Sequence, residues 1–421
     1  MTGPGSAARV ARVALVGANG HGRWHRRVIA RLQVAGMVRL VGLCDLAPIR
    51  DEPAAPVPPG VPCFAGYRDL LAVTRPEVVV ICTPPHTHLE IAAAAARAGA
   101  DLLLEKPPVP DLAAYAELRR VLAETGRVCQ VGFQALGSAA LAELTGGVAA
   151  GRLGQVTGIG ATGAWQRPDS YYRRAPWAGR RFLAGRPVLD GALVNPFAHA
   201  VMQCLAVAEA AAGAPLAAGT LELERYRARP IEVDDTAALR LRPAVGPPVV
   251  VAVTLCGDEF LAGEVIVHTE RGRAVLEYAT DYLALPGDPA PRAVPGRTGL
   301  LENLLAHRVD PGVPLLAGLD RTGLFTALVD RIAAAPDPAE IGAPHQRAAG
   351  GGEQRTVTIP GVSRLLRTAA ERLSLPSELG APWAVTPHRT TVDAGASGAG
   401  GAVPGTFEGI SSGRGVQTAR S

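Results

Sequence analysis

Residues 12–45 read RVALVGANGHGRWHRRVIARLQVAGMVRLVGLCD, and this stretch decides the fold class. The apolar run Arg12–Val16 stops at the turn Gly17-Ala18-Asn19-Gly20-His21-Gly22. A helical stretch follows to about Val34, and a second apolar run, Val38–Cys44, closes on Asp45. Strand, glycine turn, helix, strand and acid is the layout of a dinucleotide-binding βαβ unit. Glycine is needed where the backbone takes positive φ or approaches a phosphate, and the start of the helix supplies N–H donors to a pyrophosphate. Asp45 stands 23 residues after Gly22, near the spacing of a carboxylate that accepts hydrogen bonds from the adenosine ribose. The usual pattern is G-x-G-x-x-G, and Asn19 holds the middle place. Asparagine tolerates left-handed geometry better than most residues, so the departure is mild. By itself the turn is a weak signal. The carboxylate favours NAD over NADP, because a 2′-phosphate would meet a like charge; nearby Arg50 pulls the other way.

The alternation continues outward. A proline-rich connection, Pro48–Pro62, precedes a helix over Tyr67–Val73 and an apolar strand over Glu77–Cys82. That strand ends in Thr83-Pro84-Pro85-His86-Thr87-His88, and an alanine-rich helix runs to about Ala98. Asp101–Leu104 is another strand, ending in Glu105-Lys106-Pro107-Pro108; a helix over Asp111–Glu124 and a strand over Val128–Phe133 follow. Repeated strand–helix units predict a doubly wound parallel sheet, in which ligands sit beyond the carboxyl ends of the strands. The segments Gly17–Gly22, Thr83–His88 and Glu105–Lys106 are therefore expected to converge. His86 and His88 begin a helix, and His88 is read as structural or close to the cofactor rather than catalytic.

After Phe133 the pattern changes. A helix over Ala139–Ala150 and a strand over Gln155–Thr162 lead into an aromatic and arginine-rich stretch, then a long helix carrying Asn195 and His199. Five β-like segments between Leu221 and Tyr278 predict a largely antiparallel open sheet, and helices are expected over Leu300–His307, Gly318–Ala334 and Val362–Ser374. The domain reading is α/β throughout: a Rossmann domain over 1–136, a substrate-binding and oligomerisation domain over 137–385, and a disordered tail over 386–421, where glycine, serine and alanine dominate.

Composition agrees with a globular chain. At 421 residues it exceeds one ordinary domain, and 48% apolar against 19% charged residues excludes a disordered protein. A net charge of +4 with scattered basic residues gives no reason to expect nucleic acid. The six cysteines show no CxxC pair, and Cys44, Cys82, Cys129 and Cys256 fall in apolar runs as buried free thiols. No apolar window reaches membrane-spanning length and the N-terminal apolar stretch is too short for a signal sequence, so a cytoplasmic protein is expected. No histidine has a carboxylate or cysteine at ligand spacing, and no metal is expected. Of the 42 basic residues one is lysine, Lys106. Arginine stays charged at any relevant pH, whereas lysine can be shifted by burial. The single lysine is a candidate for work arginine cannot do; chance retention, or a strand-end cap beside Glu105, is the bland alternative.

With these residues set out, the sequence resembles the glucose–fructose oxidoreductase / inositol dehydrogenase (Gfo/Idh/MocA) family over roughly residues 10–385. Thr83-Pro84-x-x-x-His88 and Glu105-Lys106-Pro107 are similar to its two signature strand ends. Asn195-x-x-x-His199 is similar to its active-site motif, in which aspartate or asparagine precedes histidine by four residues. Val233–Thr236 and Glu378–Trp383 add to the ordered set. The resemblance implies a Rossmann domain, a second domain whose open sheet often forms the oligomer interface, and oxidation of sugars or related polyols with NAD. It implies cofactor contacts from Gly17, Asn19, Gly20, Gly22, Asp45, Thr83, Pro84, His88, Glu105 and Lys106, and catalytic roles for Lys106, His199 and Asn195.

Hydride transfer from a carbinol carbon needs the nicotinamide held against that carbon and a group to take the hydroxyl proton. His199 is the first choice as general acid/base, since its unperturbed pKa is near neutral. Lys106, partly desolvated, can orient the hydroxyl, stabilise an alkoxide or relay a proton. At i, i+4 on a helix, Asn195 and His199 would share a face, and Asp190 would lie opposite His199. Asn195 in place of aspartate predicts a less basic His199 and more reliance on Lys106. Tyr171, Tyr172, Trp177, Arg180 and Arg181 either wall a polyol pocket or form an interface or solvated loop. Two other readings stay open: an enzyme that keeps and recycles its NAD(H), and a non-catalytic dinucleotide-bound regulator or scaffold.

Overall fold

The computed structural model describes residues 10–395; residues 396–421, most of the expected tail, lie outside them. The first part of the chain runs β1 (Ala11–Val16), α1 (Gly22–Val34), β2 (Val38–Cys44), β3 (Cys63–Phe64), α2 (Tyr67–Thr74), β4 (Val78–Ile81), α3 (His88–Arg97), β5 (Asp101–Leu104), α4 (Leu112–Thr125) and β6 (Cys129–Val131). Its six strands form one parallel sheet in the order β3-β2-β1-β4-β5-β6, which is the dinucleotide-binding order. Every residue of β4 and β5 is buried, as expected where helices cover both faces of a parallel sheet. Since β1, β4 and β5 are neighbours, their carboxyl ends bring the three predicted segments side by side.

The second part begins with α5 (Ala139–Ala149), β7 (Val156–Gln166), a small hairpin β8 (Phe182–Leu183) and β9 (Arg186–Pro187), and α6 (Ala198–Ala212). It continues with β10 (Ala218–Arg227), β11 (Thr236–Pro243), β12 (Val249–Thr254), β13 (Cys256–Thr269), β14 (Gly272–Glu277), β15 (Tyr282–Ala284) and β16 (Arg292–Ala293). Then come α7 (Leu300–Val309), α8 (Gly323–Ala334), β17 (Ala339–Glu340), β18 (Arg347–Ala349), β19 (Thr356–Thr358), α9 (Val362–Arg372) and β20 (His388–Asp393). Ten of these strands make one mixed, largely antiparallel sheet, in which β7–β12 and β10–β17 are the parallel pairs.

Beyond residue 136 the chain returns to the first sheet: α7 packs against β5 and β6, the Val131 N–H donates to the Ala317 carbonyl at 2.7 Å, and Gln130 Nε2 donates to Asn303 Oδ1. The edge of β6 would otherwise expose unpaired backbone. The tail is not irregular from 386, because His388–Asp393 pairs antiparallel with β10, from Leu223↔His388 to Ala218↔Asp393, and buries Val392. Its β-branched residues suit a strand; the small residues that follow masked them. On the second sheet one side carries α6, and α9 lies across β7, β12 and β13 on the other. Glycine on β7 permits this approach: a Cβ on Gly160 would lie 2.1 Å from the Ala370 carbonyl oxygen of α9, and one on Gly163, on the opposite face, 2.3 Å from the Phe197 ring.

Candidate active site

The glycine turn is shaped for close backbone approach. Gly17 has φ +87°, and a Cβ there would meet the Cys82 carbonyl oxygen at 2.2 Å; one on Gly22 would meet the Gly17 carbonyl oxygen at 1.8 Å. Gly20, at φ +55°, would meet nothing within 4 Å, so it faces open space. The first turn of α1 carries no acidic residue and no side-chain cap; its N–H groups at Gly22, Arg23 and Trp24 turn back onto the carbonyls of Asn19, Gly20 and His21. Asp45 follows β2 directly. Its Oδ2 accepts the Asn19 N–H at 2.8 Å and its Oδ1 the Ala47 N–H at 3.0 Å. The Asn19 side chain in turn accepts the Arg50 N–H and donates to the Ala47 and Pro48 carbonyls, tying the turn to the loop after β2.

His88 is fully buried between the other two strand ends, with Nε2 2.8 Å from the Thr83 carbonyl and Nδ1 3.0 Å from that of Pro107. It is a clamp. Glu105 is buried as well, and its Oε1 accepts from His25 Nε2 and Gln134 Nε2, each at 2.9 Å, with His21 Nε2 at 3.6 Å. Burial alone would raise this carboxyl, but the hydrogen bonds from His21 and His25 outweigh it and hold the group well below the usual range. The fold thus gives histidines a carboxylate that sequence spacing did not show; the three ligand atoms lie within 4.8 Å of one another.

Lys106 projects from the same strand end, across a cis peptide bond to Pro107. Its Nζ donates to Asn195 Oδ1 at 2.6 Å and to the Asn195 carbonyl at 3.0 Å. Burial lowers its pKa, against the opposing pull of Glu105 and Asp190. The helix expected to carry both Asn195 and His199 begins only at Ala198; residues 192–197 form turns, because Pro196 disfavours helical geometry at the residue before it. Asn195 and His199 therefore do not share a helix face, and Asp190 does not lie opposite. Instead Asn195 Nδ2 donates to Asp190 Oδ1 at 2.6 Å. His199 packs edge-on against Phe133, and its buried Nδ1 has no hydrogen-bond partner. Burial, and behind it the Lys106 charge, push His199 down to about 3, so it is neutral where near-neutral titration was expected.

Part of this set borders a cleft of about 720 Å³; Gly17, Gly22, Asp45 and His88 stand outside its lining. Asn19, Gly20, Thr83, Pro84, Glu105 and Lys106 line one side, and Asn195 and His199 another. Of the aromatic–arginine stretch, Tyr171 and Trp177 reach it; Tyr172 and Arg180 do not. Tyr172 is buried beneath the Arg229 guanidinium, 5.2 Å from its ring centroid, and Arg180 is exposed. Arg174 and Gln134 line the cleft without having been singled out from sequence, and so does Asp190, which a continuous helix would have set on the far side. Arg174 lies over Tyr171 and Trp177, at 3.8 and 4.6 Å from their ring centroids, and pairs with Asp190 at 2.7 Å.

Residues 11–133 match the family model described as oxidoreductase family, NAD-binding Rossmann fold (GFO_IDH_MocA). No curated protein sequence matches the chain. Among solved structures, the WlbA dehydrogenase from Bordetella pertussis, in complex with NADH and UDP-GlcNAcA, is 23% identical with a TM-score of 0.64, covering 77% of this chain and 97% of that one. A levoglucosan dehydrogenase in complex with NADH is 18% identical at 0.63, over 79% and 100%. The aldose-aldose oxidoreductase from Caulobacter crescentus, complexed with glycerol, is 19% identical at 0.61, over 77% and 98%. At these identities the likeness is one of fold.

Proposed function

Residues 11–133 belong to the Gfo/Idh/MocA oxidoreductase family with its NAD-binding Rossmann fold, and from that premise we propose that the chain moves hydride between NAD and a sugar, sugar derivative or cyclic polyol. The observation that carries this reading is that the glycine turn, Lys106 and His199 border one cleft. The turn suits a dinucleotide: two glycines allow no side chain, Gly20 opens outward, and α1 starts uncapped. The turn at Gly17, Asn19, Gly20 and Gly22 would give the pyrophosphate a close backbone approach, Asp45 would hold the adenosine ribose, and Thr83, Pro84 and Glu105 the end nearer the reaction, with His88 fixing those loops. NADP would set its 2′-phosphate against Asp45, so NAD is preferred.

When bound, the nicotinamide supplies the acceptor or donor of hydride. The chain's own part is to hold the hydroxyl and move its proton. Lys106, deprotonated more readily than a solvated lysine, takes that proton, while neutral His199 offers a hydrogen bond from the facing wall. Tyr171 and Trp177 give the apolar faces on which a polyol ring stacks, and Arg174, held against them, gives donors. Among the described residues no helix is long and apolar enough to cross a membrane, and all six cysteines are free, which fits a reducing cytoplasm.

Calorimetry with NAD and NADP on the wild type and Asp45→Ala tests the cofactor, and NAD reduction across a polyol panel tests the reaction. NAD binding that weakens about tenfold in the variant is expected, the loss of a charge-assisted contact. A folded protein that binds neither dinucleotide overturns the reading.

A further inference from the structure

Resting on the function above, we propose that Asp190 is the carboxylate that positions Lys106, acting through Asn195. The Asn195 amide is wedged between an ammonium, which only donates, and a carboxylate, which only accepts. One orientation satisfies both, with Oδ1 toward Lys106 and Nδ2 toward Asp190, each contact at 2.6 Å. An aspartate at 195 would set two carboxylates at that contact, and one would have to take a proton. The amide is therefore the residue that Asp190 requires. The acid has moved one hydrogen bond outward rather than disappeared.

Asp190 is built for this place. Its side chain is wholly buried, Oδ1 also accepts from Arg174 Nη2 at 2.7 Å, and Oδ2 accepts the Gly179 N–H at 2.9 Å. A buried carboxylate needs such partners, and removing one leaves a charge uncompensated. The charged and titratable groups acting on Lys106 are Glu105, Asp190, Arg174 and Cys82, with His199 opposite. Glu105 is engaged by His25 and Gln134, so Asp190 is the acid whose hydrogen-bonded chain ends on the ammonium.

Because Lys106 is the only lysine, full-length protein labelled with ¹³Cε-lysine gives one side-chain resonance whose pH titration reads this group directly. Asp190→Asn is expected to lower the Lys106 midpoint by about one unit, the low end of the effect of a nearby opposite charge, and to move the pH profile of turnover with it. Asn195→Asp alone is expected to lose activity at neutral pH, and the exchanged pair Asp190→Asn/Asn195→Asp to regain the wild-type midpoint and most of the turnover. A folded Asp190→Asn with an unmoved midpoint overturns the proposal, as does an exchanged pair whose midpoint stays low. Should Asp190→Asn fail to fold, the exchanged pair, which keeps one donor and one acid, decides alone. If the wild type oxidises no polyol, the proposed function fails, yet the lysine titration still judges the role of Asp190.

Discussion

Lys106 Nζ donates to both oxygens of Asn195, a residue 89 positions away on a turn of the second part of the chain. The one lysine is thereby fixed across the cleft rather than left to sample it. Such preorganisation lets a catalytic group act without reorienting in the transition state.

Lys106→Arg keeps the positive charge and removes the ability to give up a proton, since guanidinium stays protonated in proteins. If Lys106 moves a proton, turnover falls at least about 100-fold while NAD affinity stays within about threefold, and Lys106→Met loses as much. Steady-state rates with calorimetry on the same samples check this. An arginine variant with near-normal turnover would show that only the charge is used.

His199 gives a pH prediction with a definite sign. Its folded pKa, about 3, lies below the unfolded value near 6.5, so between these limits the unfolded chain binds the extra proton. The stability tied to neutral His199 is complete above about pH 6.5 and is lost as pH falls toward 3. Denaturant melts of wild type and His199→Asn across that window should differ in slope by up to about 1.4 kcal/mol per pH unit, the wild type falling faster. Parallel slopes would mean that His199 takes up protons while folded.

The first sheet was legible because its strands are continuous apolar runs and its turns are punctuated by glycine and proline; β2 and β5 match their expected limits. The site was legible only where chemistry sits at strand ends. The Glu105–His25 contact spans 80 residues, and no local spacing announces it. Asp190 escaped for a different reason. Helical periodicity was extended through Pro196, where the chain turns, so a residue assigned to the far face is in fact a hydrogen-bond partner of Asn195. Gly158 and Gly160 weaken β7 as a sequence signal, although they are what lets α9 settle on it.

Two glycines of the turn should respond differently to alanine. A Cβ on Gly17 meets backbone at 2.2 Å and adds to a positive φ, so Gly17→Ala displaces strand ends and costs several kcal/mol, with dinucleotide binding lost. At Gly20 nothing stands within 4 Å, and Gly20→Ala pays only the left-handed backbone, about 1–2 kcal/mol. Its larger effect is on affinity, because the methyl group points into the space a pyrophosphate would occupy. Thermal melts and NAD titrations of the pair separate packing from binding; equal melts would contradict the packing argument.

Coverage of the second sheet by α9 bears on assembly. Leu366 is fully buried in a cluster with Tyr226, Ala238, Ala252 and Val362, and no side chain fits at Gly160 beneath the Ala370 carbonyl. Leu366→Ala should cost about 2–5 kcal/mol as a core truncation, and Gly160→Ala about 1–3 kcal/mol by forcing α9 outward. In light scattering neither is expected to change the mass at which the wild type runs, because α9 of the same chain lies on the strands they disturb. A wild-type oligomer that falls apart in Gly160→Ala, with the folded subunit intact, would show instead that α9 yields this face to a second copy.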